Sequence, residues 1–286
     1  MNYAISLKRR DDELKVGADL HLHTIASDGS WEPDELIHTA ENIGLSTISI
    51  TDHDTIDSIL PAFKANSSNL EIIPGIEFST EYNNTEIHIL GYGIDINDVR
   101  LLNVLDELQK ERIKRAIAII ERLNNLNLDI DYQTVKRLAG SGTIGRVHIA
   151  QALIEQGYTT SISEGFSQYL NRNAPAYVPR KKQSPHQAIA AILAVGGAPV
   201  LAHPGIFDND DIIPELKSAG LVGLEIIHPY HSAEQIKHYF SLAQSFGLLP
   251  TGGSDCHGRG GKDRVYIGTI EIPDQWVFQL KSYLGI

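Results

Sequence analysis

The chain of 286 residues has a single cysteine, Cys256. No internal disulfide can form, and such usage is what a reducing cytoplasm favours. No apolar run is long enough to span a bilayer, so a membrane-embedded protein is not expected. The opening stretch MNYAISLKRRDDELK carries its basic residues after its apolar ones, with no apolar region following. That is not the pattern of a secretory leader. Cations are scarce too: 24 Lys and Arg against 36 Asp and Glu give a formal charge of −12. Sequence-independent binding of long duplex DNA or RNA, which needs clustered Lys and Arg, is therefore disfavoured. Small anions remain possible ligands where metal ions carry the positive charge. Internal repeats and low-complexity segments are also missing. Against these absences stand twelve histidines, and their placement decides what the chain can do.

Apolar, β-branched segments alternate with amphipathic ones. Strands are expected over residues 16–23, 46–51, 70–74 and 86–91, with helices over 33–43 and 55–65 between them. After a long middle section the alternation resumes. Helices are expected over 187–195, 212–219, 233–246 and 275–284, and strands over 199–203, 223–227 and 248–251. Repeated βα units imply a mainly parallel α/β sheet, open or closed into a barrel. Residues 98–182 differ, being rich in Leu, Ile, Ala, Glu, Lys and Arg at helical spacing. They read as a helical insertion domain between two parts, 1–97 and 183–286, of one α/β domain.

In DLHLHTIASDGS, His21 and His23 close the first strand and point to one face; Asp28 follows in the loop. Asp52, His53 and Asp54 (TDHD) follow the second strand. Glu77 (PGIEFS) comes just after the third, and His88 lies within EIHILGYG. His203 (LAHPG) ends the strand after the insertion, and Asp255 and His257 (GGSDCHG) follow the last strand. All but mid-strand His88 lie near the carboxyl end of a strand, where sites of parallel α/β folds assemble. Singly, each has an ordinary reading: a half-buried pair, an Asx-turn, a strand terminus, or, for Asp54, a cap on the helix that follows. Asp54 is assigned that capping role. Together, so many lone pairs and negative charges at one rim require a cation. His38, His186 and His238 fall on helices and read as surface.

In this order, HLH, Asp28, TDHD, Glu77, His88, AHP and SDCH resemble the PHP family, named for polymerase and histidinol phosphatase. The resemblance runs from about Val16 to the C-terminus. It implies a distorted (β/α)7 barrel binding three divalent ions at the carboxyl ends of its strands. The first ion would take His21, His23, Glu77 and Asp255. The second would share Glu77 as a bridge and add His88 and His203, and the third would take Asp28, His53 and His257. Imidazole and carboxylate without thiolate suit Mn²⁺, Fe²⁺ or Zn²⁺, and Cys256 reads as packing.

Asp28 stands where histidinol phosphatases of the family carry His, which points away from histidinol phosphate. The motif around Arg146 and His148 (IGRVHIAQAL) and the stretch PAYVPRKKQSP resemble a subgroup acting on nucleotides. Its members hydrolyse 3′,5′-nucleoside bisphosphates or trim short RNA from the 5′ end. The expected activity is phosphoester hydrolysis, with Glu77 and Arg146 central and His231, or water on His257, as the proton source. His228 and His231 follow a strand and are placed at the rim. Arg146, His148 and Arg180 are the expected substrate contacts, with Tyr177 and Lys181 near the mouth. The partner is a small phosphorylated compound, a nucleotide or short RNA end. Two alternatives are a histidinol-phosphate phosphatase and a non-catalytic metal-binding module. Oligomeric state is left open.

Overall fold

A computed structural model of the chain describes residues 17–67, 70–83, 85–140, 142–179, 183–207, 209–258 and 267–286. Arg180 and its neighbours Lys181 and Lys182 lie outside them. β1 (Ala18–Leu22) is followed by α1 (Pro33–Asn42), β2 (Thr47–Ile50), α2 (Ile59–Ala65) and the two-residue β3 (Glu71–Ile72). β4 (Gly75–Tyr82) and β5 (Thr85–Tyr92) form a hairpin. The described residues from there to α7 hold helices only: α3 (Val99–Asn125), α4 (Tyr132–Ala139), α5 (Arg146–Glu155) and α6 (Ile162–Gly165), which runs into a π-turn over Phe166–Leu170. Alternation resumes with α7 (Pro185–Ala194), β6 (Ala198–Leu201), α8 (Pro204–Phe207), α9 (Ile213–Ser218), β7 (Gly223–Ile227), α10 (Ala233–Phe246), β8 (Leu249–Gly252) and α11 (Asp274–Leu284). No helix among the described residues is long and apolar enough to cross a membrane.

Local chemistry accounts for the sharper boundaries. In α10, Ser232 and Gln235 form a reciprocal capping box, and Gly247, left-handed at φ 61°, ends the helix. β7 and α10 accordingly occupy 223–227 and 233–246, as the sequence pattern predicts. α1 begins at Pro33, whose missing N–H costs nothing in the first turn, and buries Leu36, Ile37 and Ala40 along one stripe. α2 starts only at Ile59, with Ser58 before it, so Asp54 is not its cap.

The strands form two sheets, β1-β2-β3 and β4-β5-β6-β7-β8. The first is all parallel. In the second, β5 runs antiparallel to both β4 and β6, while β6, β7 and β8 are parallel. The sheets meet at isolated parallel bridges, Leu22 with Cys256 and His53 with Glu77. At the first, the His23 N–H donates to the Cys256 carbonyl at 3.0 Å. At the second, the Asp54 N–H donates to the Glu77 carbonyl at 3.0 Å and the Glu77 N–H to the Asp52 carbonyl at 3.2 Å. A mixed α/β body is therefore what the chain builds, with seams where a continuous ring of seven parallel strands would have ladders. The antiparallel pair has a local cause. The hairpin β4–β5 reverses the chain within a few residues, so no helix crosses over and the strands must be antiparallel.

Among the described residues three apolar cores hold the molecule together. The largest packs Phe78, Leu90, Tyr92, Val200 and Leu224 against α7, α10 and α11, and it takes in Leu101, Leu105 and Leu108 from the first half of α3. A second, wholly helical core contains Ala116, Ile119, Ile120 and Leu123 from the other half of α3, with Val135, Ile149, Leu153 and Leu170. A third lies under the first sheet, around Leu22, Leu36, Ile50 and Cys256.

Candidate metal centre

The seams between the sheets carry the polar residues. On β1, Leu20 and Leu22 join apolar cores while Asp19 and His21 alternate with them, and His23 continues the His21 face. Glu77 projects from β4 with Ile76 and Phe78 turned to the core on either side. Ser79, two residues on, pairs across the hairpin with His88, so Glu77, Ser79 and His88 share one face. That is how a mid-strand histidine reaches the site: its strand is the antiparallel one. The segment after β8 lies so close to β1 that a Cβ on Gly253 would sit 2.1 Å from the His21 Cβ, which requires glycine there.

Glu77 is fully buried and ringed by five imidazoles. Its Oε1 lies 2.8 Å from His88 Nδ1 and 3.2 Å from His203 Nε2; its Oε2 lies 3.2, 3.3 and 3.1 Å from His21 Nε2, His23 Nε2 and His53 Nδ1. Asp255 Oδ1 is 3.3 Å from His21 Nε2 and 3.0 Å from His23 Nε2. Asp28 Oδ1 is 3.3 Å from His257 Nε2, and its Oδ2 is 3.8 Å from His53 Nε2. All nine residues singled out in the sequence thus converge. Three sets place one ligand atom per residue within 4.8 Å of one another: His21, His23, Glu77 and Asp255; His23, Asp28, His53 and His257; and His53, Glu77 and His88. The first is the set expected. In the others His23 and His53 are shared, and His203 joins through Glu77 alone.

Behind these stand further residues, of which Glu225 and Arg112 were not singled out. Glu225 on β7 is fully buried; its carboxylate lies 2.9 Å from His21 Nδ1 and accepts the His203 N–H at 2.8 Å. The carboxylate therefore turns His21 Nε2 inward, the usual arrangement behind a metal-binding imidazole. A carboxylate in the apolar strand GLEII, between inward-packed Leu224 and Ile226, was the available signal. His228 Nε2 lies 3.3 Å from Asp255 Oδ2. Asp54 serves as an anchor: its Oδ1 accepts the Ser79 N–H at 3.0 Å, and its Oδ2 accepts Arg112 Nε at 2.9 Å and a second bond from Arg112 Nη2. Arg112 Nη2 also donates to Ser79 Oγ at 3.1 Å.

The electrostatics follow from burial opposed by paired charges. Burial alone would raise the carboxyls of Glu77, Asp28 and Asp255, yet the surrounding histidines hold all three well below the usual range. Burial drives His53 down to about 4. His88 and His257 are also opposed by burial, but Glu77 beside the one and Asp28 beside the other push each up to about 10. Two buried oxygens, Glu77 Oε2 and Asp28 Oδ1, have no hydrogen-bond partner. Buried carboxylate oxygens that gain no hydrogen bond are costly, and a cation resolves them. The donors are hard oxygens and imidazoles, with Cys256 packed in the third core, which fits divalent first-row ions. Backbone strain gathers here too: Asp54, His203 and Asp255 have φ of 55°, 27° and 51°.

Beside Asp28, His53 and His88 opens a cavity of about 290 Å³, whose far wall carries Arg112, Arg115 and Arg146 with Ile119, Ile144 and Phe166. Arg146 opens α5, lies over the Phe166 ring at 5.3 Å, and reaches the Leu170 carbonyl at 3.5 Å and Glu86 at 3.4 Å. Arg115 donates to the Val178 carbonyl at 2.9 Å and lies over the Tyr177 ring. Two residues are placed otherwise than expected. His231 is buried, with Nδ1 2.8 Å from the Ile226 carbonyl and Nε2 accepting the Gly205 N–H at 3.1 Å, so both nitrogens are committed to backbone and neither can serve as proton donor. His148 closes the start of α5, its Nδ1 accepting the Gly145 N–H at 3.0 Å, and its ring lines a smaller cavity beside Asp28 rather than the arginine wall. His38, His186 and His238 pair with Glu41, Glu215 and Asp210 on the surface.

The PHP domain matches residues 19–177. The 5′-3′ exoribonuclease Rnm of Escherichia coli (strain K12) is 35% identical over 255 residues, covering 86% of this chain and 87% of that protein. A 3′,5′-nucleoside bisphosphate phosphatase of Chromobacterium violaceum is 29% identical over 254 residues, covering 86% and 89%. Among solved structures, one provisionally assigned as a metal-dependent phosphoesterase, from Bifidobacterium adolescentis, superposes with a TM-score of 0.86 at 29% identity, covering 94% of this chain and 96% of that one. The order of the histidine and carboxylate motifs, their convergence on Glu77 and these similarities lead to one conclusion: the chain belongs to the PHP family.

Proposed function

We propose that the protein is a metal-dependent phosphoesterase that hydrolyses phosphate esters of nucleotides, either 3′,5′-nucleoside bisphosphates or the 5′ end of short oligoribonucleotides. The observation that carries this reading is the convergence of five imidazoles on Glu77, whose Oε2 has no hydrogen-bond partner, beside an arginine-walled cavity. The names of the two curated relatives, one for RNA 5′ ends and one for nucleoside bisphosphates, support the substrate class.

Three divalent ions, Mn²⁺, Fe²⁺ or Zn²⁺, are proposed, held by His21, His23, Asp28, His53, Glu77, His88, His203, Asp255 and His257. Such ions supply positive charge to phosphoryl oxygens and acidify water towards neutral pH. The remaining work is done by the chain. Glu225 and Glu77 hold the imidazole rings in place. Arg146 offers its guanidinium to substrate oxygens from the far side of the cavity, an arrangement suited to planar two-point recognition of phosphate. Residues 98–182 are read as an insertion domain that forms this wall, and the body as a distorted (β/α)7 barrel opened at its two seams.

The test is a side-by-side assay of adenosine 3′,5′-bisphosphate, a short 5′-phosphorylated RNA, AMP and histidinol phosphate with Mn²⁺. A nucleotidic substrate should lead by kcat/KM, and chelation should abolish turnover. Arg146→Ala should raise KM or lower kcat while bound metal stays unchanged. A lead for histidinol phosphate would overturn the substrate class. Absence of chelator-sensitive phosphate release from every ester would leave a metal-binding module without catalysis.

A further inference from the structure

The metal centre has a second side that the arginine wall does not touch. Its imidazole rings follow one another in a row: His53 to His88 at 5.0 Å, His88 to His203 at 5.3 Å, His203 to His228 at 5.2 Å. The cavity borders the His53 and His88 end. At the other end His228 meets buried His231 at 5.3 Å and, towards the surface, Tyr230 at 5.5 Å, which is 62% exposed. On the neighbouring short helix α8, Ile206 is 54% exposed.

Both side chains stand on pinned backbone. The Tyr230 N–H donates to His228 Nδ1 at 3.3 Å, and the His231 N–H donates to the His228 carbonyl at 3.0 Å. Buried His231 ties the loop after β7 to Gly205, and Gln235 donates to the Gly205 carbonyl at 3.2 Å. A single exposed apolar residue is ordinary on any surface. Here the exposed ring continues the row of site imidazoles and stands on a loop tied to α8 through Gly205. A rigid exposed aromatic next to a phosphate-handling centre has the chemistry to stack an unpaired base, since every base has a π-face.

We propose that Tyr230 is a stacking subsite for a nucleobase of a single-stranded oligonucleotide whose reacting phosphate sits at the metal centre. The inference rests on the phosphoesterase reading and deepens it. A mononucleotide fills only the arginine side, whereas a chain extending past the centre also covers Tyr230. The subsite is thus a determinant of preference for oligonucleotide over mononucleotide.

The test compares wild type with Tyr230→Ala, Tyr230→Phe and Tyr230→Trp, Mn²⁺-loaded, on a 5′-phosphorylated tetraribonucleotide and on adenosine 3′,5′-bisphosphate. Losing one stacked base should lower kcat/KM for the tetranucleotide about 5- to 100-fold in Tyr230→Ala while the bisphosphate changes by less than about twofold. The Phe and Trp variants should restore it, because the ring and not the hydroxyl makes the contact. An equal loss on both substrates, or none on the tetranucleotide, would overturn the subsite. If the wild type cleaves neither compound, the phosphoesterase reading fails separately. The subsite is then judged by binding: the indole fluorescence of Tyr230→Trp should be quenched by the tetranucleotide and not by the bisphosphate, and absence of that quenching refutes it.

Discussion

In the main body the candidate ligands come from backbone that is itself locked: His23 and His53 sit at the two bridges between the sheets, and Glu77 lies within a strand bonded on both edges. In residues 98–182 the candidate side chains reach the cavity from a largely helical segment, and the charged ones among them are long arginines. The body places atoms; the helices place reach. A side chain with one or two rotatable bonds keeps a ligand geometry, whereas an arginine follows a substrate of variable shape. On the proposed reading, chemistry falls to the first region and selection to the second.

The strongest way to break that division is Glu77→Gln, which keeps shape but removes the charge at the centre of five imidazoles. We expect kcat to fall by at least ~10³, as when a principal electrostatic element is lost. Wild-type turnover with full metal occupancy would remove Glu77 from its central place.

The next effect lies where the regions join. Asp54 is buried and Arg112 nearly so, and they form an ion pair between the body and α3. Arg112→Ala removes the charged partner of a buried carboxylate and should cost about 3–5 kcal/mol in urea unfolding. Arg137→Ala, which breaks the exposed pair with Glu155, should cost less than about 1 kcal/mol. Equal costs would mean that the joint between the regions is no stronger than a surface contact.

The smallest effect is a pH profile of the metal-free protein. His88 and His257, each held at about 10 against an ordinary 6.5, stabilise the fold fully below pH 6.5, and this is lost as pH rises through about 10. His53, lowered to about 4, works oppositely: its contribution is present above pH 6.5 and is lost as pH falls through about 4. Chelator-treated protein should therefore show its highest Tm near pH 6.5, and added Mn²⁺ should flatten the alkaline limb because ligation takes the place of the protons. A flat profile without metal would show that the histidines do not carry these charges.

The elements most legible in the sequence were those with chemical punctuation at their ends, such as α10 between Ser232 and Gly247. β4 was missed because Pro74–Gly75 reads as a stop, although the alternation of Ile76 and Phe78 with Glu77 and Ser79 is that of a strand. The candidate ligands stood out because imidazoles in clusters have few other uses. Arg112 did not, since in a helix rich in Lys, Arg and Glu only tertiary packing decides which cation turns inward. Asp54 was assigned to the wrong partner for the same reason: a short carboxylate in a loop suits a helix cap equally well, and its left-handed backbone is visible only in three dimensions. His231 was misplaced because sequence cannot tell an imidazole facing a rim from one bonded to two backbone groups.

α3 belongs to two packing units at once, and this bears on any attempt to take the molecule apart. At 27 residues it is about 40 Å long, with Leu101, Leu105 and Leu108 in one core and Ala116 to Leu123 in another. Excising residues 98–182 would strip three leucines from the body and open a trough along its sheet, at a cost of about 2–5 kcal/mol for each side chain lost. Excision from after Leu108 would spare them. The same helix ties the melting of one unit to the other, because it cannot fray in one core without shortening its hold on the second. Hydrogen exchange along α3 should therefore report one shared opening event, not a fast half and a slow half.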